Sequence, residues 1–330
     1  MARPRILVTR PIAEDALTLL REDCDVSIGP ADREASRPEF LDSVRDCEGL
    51  LVVGHPRVDG GLLDAAPKLR MVANFGVGVD HIDVAAATTR KIWVSNTAGS
   101  LTETTAELGW ALILATVRRL AEGDRLVRAG QWKGFGAFFF LGAELPGKTL
   151  GIVGAGRIGQ AVARKAPSFG MNVLYWSRGP KPDFEAATGA RARDLDGLLR
   201  ESDVVVLTLS LSAETRRLIG ARELGLMKKS AYLVNIARGS VVDEPALARA
   251  LLDGTIAGAG LDVYEKEPEI HPDLLRCPSA VLAPHIGSAT VETRRRMSLL
   301  AAENLLAGLH GRVPPLALNA PARLPGLPTS

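Results

Sequence analysis

The chain has 330 residues, 46% hydrophobic and 24% charged, with a formal net charge of +2. That length and balance predict two globular domains with well-buried cores. The near-neutral charge excludes the strong basic excess through which nucleic-acid binders release counterions, so no nucleic-acid partner is expected.

Short apolar runs alternate with amphipathic helical stretches almost throughout, the pattern of a parallel α/β fold. In the first hundred residues, strands are expected at 5–8, 49–53, 69–74 and 92–94, with helical patterns between them, as at 12–21 and 37–47. One long helix is expected from about 101 to 129, with Thr102, Thr105 and Glu107 as capping chemistry and Gly130 as its stop. An irregular aromatic stretch follows at 134–142 and includes Phe138, Phe139 and Phe140. It reads as an interface, a mobile flap or a buried connector.

A second alternating series starts at Lys148, with strands expected at 149–153, 172–176, 204–209, 232–235, 257–262 and 280–283. Helices fit 158–169, 195–201 and 244–252. A last amphipathic helix spans about 289–310, and its Arg294, Arg295 and Arg296 read as a solvated face. The Pro-rich tail at 314–330 is expected to run irregularly over the surface. Cys24, Cys47 and Cys277 follow no metal spacing and are expected to be reduced thiols, so no metal is anticipated. The first residues enter a strand without a signal-peptide core, and the apolar stretch at 108–117 is too short to span a bilayer. A cytoplasmic protein without a membrane partner is expected.

The sharpest local signal is TLGIVGAGRIG at 149–159. Gly154, Gly156 and Gly159 form a GxGxxG that leaves a strand and opens a helix at Arg157 and Ile158. Glycines there permit a tight turn, close backbone approach to a pyrophosphate and close helix–strand packing, and the helix N-terminus offers N–H groups to the anion. In such folds the second strand commonly ends in an acid that binds the adenosine ribose. Here Ser177 stands at that end, followed by Arg178 and Lys181. These residues suit a 2′-phosphate, which favours NADP(H) while leaving NAD(H) open; the competing reading is a solvated Arg and Lys in an exposed turn.

Three polar residues follow later strands, where open α/β sheets place their ligands. These are Arg238, Glu267 and His285. Together they supply an anion binder, a proton donor and a carboxylate partner for the donor, as reduction of a keto acid requires.

The chain resembles the D-isomer-specific 2-hydroxyacid dehydrogenases over nearly its whole length. The resemblance rests on NFGVGVDHID at 74–83, NTAGSLTETTAE at 96–107, the GxGxxG segment, VNIARGSVVD at 234–243, GLDVYEKEP at 260–268 and PHIGSAT at 284–290. Within that family it is most similar to glyoxylate/hydroxypyruvate reductases. The resemblance implies two doubly wound parallel-sheet domains, a Rossmann dinucleotide domain at 100–286 inserted into a flavodoxin-like substrate domain made of 1–99 and 287–330. It also implies a homodimer formed partly by the long helix. His285 would be the proton donor, Glu267 its partner and Arg238 the residue that grips the carboxylate of a small 2-keto or 2-hydroxy acid. The Val77–Gly78 amides would form an anion nest, and Val53 matches a substrate-loop position. Thr105, Ile236, Asp262 and Gly287 match positions that line the cofactor. Phosphite-oxidising relatives place a lysine where Val77 stands, which disfavours that activity. Corepressors of the same fold carry recruitment extensions that this sequence lacks. Another D-2-hydroxy acid, phosphite and a dinucleotide-sensing interaction protein are the alternatives.

Overall fold

The structure, a computed structural model, describes residues 3–321. The chain forms two compact units, one of residues up to Leu101 together with those from Ser288 onward, the other Thr102–Gly287.

The first unit is built on five parallel strands, β1 (Arg5–Val8), β2 (Asp25–Ile28), β3 (Gly49–Val52), β4 (Met71–Asn74) and β5 (Trp93–Ser95), in the order β2-β1-β3-β4-β5. Every residue of β3 and β4 is buried, so both strands read as unbroken apolar runs, as expected of strands covered on both faces. On one face Leu7, Leu50, Val52 and Val72 pack with Phe40, Val44, Leu62 and Leu63 from covering helices. On the other, Ile6, Val8, Leu51 and Met71 meet Leu17 and Leu20, and Ala301, Ala302 and Leu305 of the helix Val291–Leu309. Strand β2 has no buried residue, so no hydrophobic run marks it in the sequence. Helices Gly60–Ala65 and Val84–Thr89 have six residues each, too few for a helical period to show.

The second unit is a seven-stranded parallel sheet of β6 (Thr149–Val153), β7 (Asn172–Trp176), β8 (Arg191–Ala192), β9 (Val204–Leu207), β10 (Tyr232–Asn235), β11 (Gly258–Leu261) and β12 (Ala280–Leu282), in the order β12-β11-β10-β9-β6-β7-β8. Alternation along the strands feeds two cores. Val153, Val205, Leu207 and Leu233 face one, while Ile152, Val204, Val206 and Val234 face the other. The winding reverses between β6 and β9, and a doubly wound sheet opens a ligand crevice at such a reversal. These are the two doubly wound parallel-sheet folds expected.

Two expectations need correction. The long helix is two helices, Thr102–Val117 and Leu120–Arg128, separated by Arg119 in a left-handed conformation. No Gly or Pro marks the break, because its cause is tertiary. The Val117 carbonyl accepts the Ala143 N–H (2.9 Å), and the Arg119 guanidinium pairs with Glu122 and lies 4.2 Å from the Phe140 ring centre. The aromatic stretch is not a buried connector, since Phe135 and Phe138 are 95% and 89% exposed. The described part of the tail is irregular and partly exposed, as expected, and it is held in place. It docks on β5 through Asn96 N–H to Leu316 O, Leu318 N–H to Val94 O, and Asn319, which accepts from Val94 N–H and donates to Ile92 O. The rest of the tail lies outside the described residues.

Arg295 keeps its solvated face while reaching Asp15 at 2.5 Å. All three cysteines are buried and free, and burial pushes the Cys24 thiol up to about 11, away from reactivity at neutral pH. Among the described residues no helix is long and apolar enough to cross a membrane.

The tail docking is testable. Asn319→Ala removes three side-chain hydrogen bonds, to Thr88, Ile92 and Val94. Local stability at β5 should fall by about 1–3 kcal/mol, read as faster hydrogen exchange of the Val94 and Leu318 amides. Unchanged exchange at both amides would mean that Asn319 does not hold the tail.

Candidate active site

The glycine-rich turn sits at the carboxyl end of β6, between Val153 and the helix Arg157–Lys165. Gly154 has φ +106°, a conformation that side chains rarely adopt, and a Cβ there would lie 2.8 Å from the Leu209 backbone nitrogen. A Cβ on Gly159 would fall 2.2 Å from the Gly154 carbonyl oxygen, so only glycine lets the helix start this close to the turn. Thr208 locks the turn by donating to that same carbonyl (2.7 Å). Gly156 is the extended N-cap, with no side-chain cap bond and open space where a Cβ would stand. The first-turn N–H groups, at Arg157, Ile158 and Gly159, therefore present an open, electropositive cradle that fits a pyrophosphate.

At the end of β7, the Ser177 hydroxyl donates to the Gly179 carbonyl (2.5 Å) and so closes its own turn. Arg178 is exposed. Its positive charge also reaches Glu214, whose carboxyl is held below the usual range chiefly by the Ser212 hydroxyl, next by a backbone N–H, and least by this charge. The Lys181 backbone N–H donates to the Tyr175 hydroxyl (3.0 Å).

Arg238, Glu267 and His285 follow β10, β11 and β12, which are neighbours in the sheet. Asn235 shapes the first loop, accepting from Ala237 N–H and donating to Arg238 O, each at 3.0 Å. Glu267 uses both oxygens: Oε1 accepts the Tyr264 N–H (3.0 Å), and Oε2 lies 2.6 Å from His285 Nδ1. That bond orients the ring and makes Nε2 the nitrogen that can exchange a proton with a reacting partner. The imidazole is about one-third exposed (34%). His285 has φ +54°, and buried Asp262 holds the strained loop: its Oδ1 accepts from Ile286 N–H (2.7 Å), its Oδ2 from Gly287 N–H (2.8 Å). Burial pushes the Asp262 carboxyl above the usual carboxylate range, against the pull of these N–H groups and of His285.

Thr105, Asp262 and Gly287 come together, since a Cβ on Gly287 would lie 3.2 Å from Asp262 Oδ2 and 3.3 Å from Thr105 Cγ2. Ile236 packs against Gly109, on the same helix as Thr105.

In the first unit, Val53 follows β3 and exchanges two hydrogen bonds with the Thr9 hydroxyl (2.8 and 3.0 Å). Val77 and Gly78 lie in the loop after β4. The Asn74 side-chain amide donates to Gly76 O (3.1 Å), and that of Asn96 donates to Val77 O (2.9 Å). A trans peptide points its N–H opposite to its C=O. Tying those two carbonyls down therefore turns the Val77 and Gly78 N–H groups away from the two asparagine amides.

Residues 110–287 match the family profile described as D-isomer specific 2-hydroxyacid dehydrogenase, NAD binding domain. The glyoxylate reductase of Thermococcus kodakarensis is 51% identical over 321 residues, 96% of each chain. The chain belongs to the D-isomer-specific 2-hydroxyacid dehydrogenase family.

Among solved structures, the TT0316 protein of Thermus thermophilus superposes with a TM-score of 0.90 at 45% identity, covering 96% of this chain and 100% of its own. An NADPH-dependent glyoxylate/hydroxypyruvate reductase from Sinorhizobium meliloti, in complex with NADP and malonate, gives 0.86 at 36% identity, covering 99% and 100%. This family member is thus a hydroxyacid oxidoreductase that takes a nicotinamide dinucleotide, and the turn after β6 has the chemistry to hold the pyrophosphate.

Motif reading found the residues facing outward at strand ends but not those that hold them. Asn74, Asn96, Asn235 and Tyr264 act through backbone groups, a pairing that a sequence pattern does not display. Their only signal was position, inside motifs at strand ends.

The cradle predicts the effect of one methyl group. Gly159→Ala should weaken NAD(P)H binding at least about tenfold, the equivalent of 1.4 kcal/mol, with the far-ultraviolet circular dichroism retained. Fluorescence titration of the reduced cofactor checks it, and wild-type affinity would mean that the cofactor does not rest on this turn.

Proposed function

We propose that the chain catalyses reduction of a small 2-keto acid, glyoxylate or hydroxypyruvate, with His285 as proton donor and NADP(H) preferred over NAD(H). The observation that carries this reading is the 2.6 Å contact between His285 Nδ1 and Glu267 at the carboxyl edge of the sheet that bears the cofactor turn. The reduced nicotinamide, when bound, supplies the hydride to the carbonyl carbon. His285 Nε2 delivers the proton to the carbonyl oxygen, and the Glu267 carboxylate stabilises the imidazolium that carries it. Arg238 binds the substrate carboxylate through its planar pair of donors, a geometry lysine does not reproduce. The paired Val77 and Gly78 N–H groups form a nest suited to a carboxylate, and Val53 serves as a substrate-loop position. Thr105, Ile236, Asp262 and Gly287 would line the cofactor.

The names of the similar reductases support glyoxylate or hydroxypyruvate as substrate. A homodimer is supported by the exposed apolar side chains Leu120, Val127, Trp132, Phe135 and Phe138, in and after a helix that has no buried residue.

Two outcomes test this function. His285→Gln should lower reductive kcat about 100-fold or more, the usual worth of a general acid, while cofactor affinity stays. In the wild type, reduction should slow as pH rises, because each turnover consumes the proton that His285 carries, and oxidation should quicken. Near-native turnover in the variant removes His285 from the chemistry.

The cofactor preference follows from charge. Ser177 spends its hydroxyl hydrogen on Gly179, so the donors to a 2′-phosphate are Arg178 and Lys181, with no carboxylate at the strand end to repel it. A hydrogen bond to a charged group contributes about 1.5–3 kcal/mol, or roughly 10- to 150-fold, and exposure puts this case at the lower end. NADPH should therefore have the higher kcat/KM, and the double variant Ser177→Asp with Arg178→Ile should reverse the order. A wild-type preference for NADH would overturn this assignment.

A further inference from the structure

The Glu267 carboxylate is carried by a short segment that a second, buried carboxylate holds two residues before it. Glu244 opens the helix Glu244–Leu252 after the Asp243 cap and is only 6% exposed. Its carboxylate accepts the backbone N–H of Glu265. Glu265 and His271 bracket Glu267 in the chain. Between them the backbone turns tightly, with Glu269 N–H donating to Lys266 O (2.9 Å). The opposite side is closed by Gly239, beside Arg238, where a Cβ would stand 1.8 Å from the Tyr264 carbonyl carbon. The segment thus meets both close-packed backbone at Gly239 and a buried acceptor at Glu244.

A carboxylate taken out of water needs a compensating role, because burial of an ionised group is costly unless hydrogen bonds satisfy it. Burial pushes the Glu244 carboxyl above the usual range, against the pull of the Glu265 N–H and of His271, and the nearby charged groups are Glu265 and His271. The Glu265 carboxylate is itself engaged by Arg217 at 3.1 Å. What Glu244 holds is therefore backbone, and the backbone it holds carries Glu267.

We propose that Glu244 is a positioning residue for the reaction, fixing the segment from Tyr264 to Glu267 at the Glu265 amide so that Glu267 meets the His285 ring. This rests on the reading of His285 and Glu267 as the proton-donating pair. Glu244 touches neither substrate nor cofactor; it acts through the segment.

The test compares Glu244→Met, which keeps the volume but removes the acceptor, with Glu244→Gln, which keeps an acceptor oxygen without charge. Glu267→Gln is the control. Glyoxylate reduction is followed across pH, with rates normalised to the protein that binds cofactor, so loss of folded enzyme does not enter. Glu244→Met should lower kcat about ten- to a hundredfold, as small misplacements of catalytic groups do. Its cofactor affinity should stay within about twofold, and the alkaline limb of its kcat profile should move to lower pH, because the imidazolium loses its carboxylate. Glu244→Gln should recover most of both. Where Met prevents folding, Glu244→Asp, which shortens the reach and keeps the charge, takes its place and should show the same shift.

A lowered melting temperature with wild-type kcat and an unmoved limb would reduce Glu244 to a structural residue and overturn the proposal. If Glu267→Gln moves the limb and Glu244→Met does not, this inference alone fails. If Glu267→Gln leaves the limb where it was, the reading of the proton-donating pair fails, and the inference falls with it.

Discussion

The loop that carries His285 depends on the side chain of Asp262, 2% exposed just after β11. Its two oxygens are filled by the N–H groups of Ile286 and Gly287, and its own carbonyl accepts the N–H of His285. A left-handed backbone at a residue such as histidine costs on the order of 1–3 kcal/mol. Two hydrogen bonds to a carboxylate are large enough to offset it, at about 1.5–3 kcal/mol each. Without them the loop would relax and the ring would leave Glu267. The carboxylate is in turn kept buried by the strand that carries it, which lies between β10 and β12 in the middle of that half of the sheet.

Both units use the same economy of form. Parallel strands buried on both faces need no polar side chains along their length, so the polar groups collect where the strands end. There the backbone still has donors and acceptors to satisfy, and side chains such as Asn74, Asn96 and Asn235 satisfy them locally. By consuming carbonyls on one side of a turn, these amides set which way the remaining N–H groups face. Site geometry in this molecule is therefore largely a by-product of backbone accounting at strand ends.

This also explains which features could be read from sequence. Strands such as β3, β4 and β9 announced themselves because each is a buried apolar run, and the turn after β6 because its glycines are sterically required. Arg238, Glu267 and His285 were legible as polar residues placed just beyond such runs. Strands β2 and β8 were not, because edge strands without buried residues carry no run. The break at Arg119 was invisible for a different reason: it is made by an amide at Ala143, distant in the chain, with no local breaker. Asp262 could be found by motif, but its grip on the His285 loop, like that of Glu244 on the Glu267 segment, is a bond from side chain to backbone with no periodicity to reveal it.

The docked C-terminal segment has a consequence for the behaviour of the chain as a material. Strand β5 is the last strand of its sheet, and Ala317 forms an antiparallel bridge to its Ser95. The segment therefore works as a cover over an otherwise open row of hydrogen-bonding groups. A chain cut before Pro314 would keep all five strands of the first unit and the helix Val291–Leu309, yet it would present β5 as a bare edge, the template on which one polypeptide recruits another into aggregates.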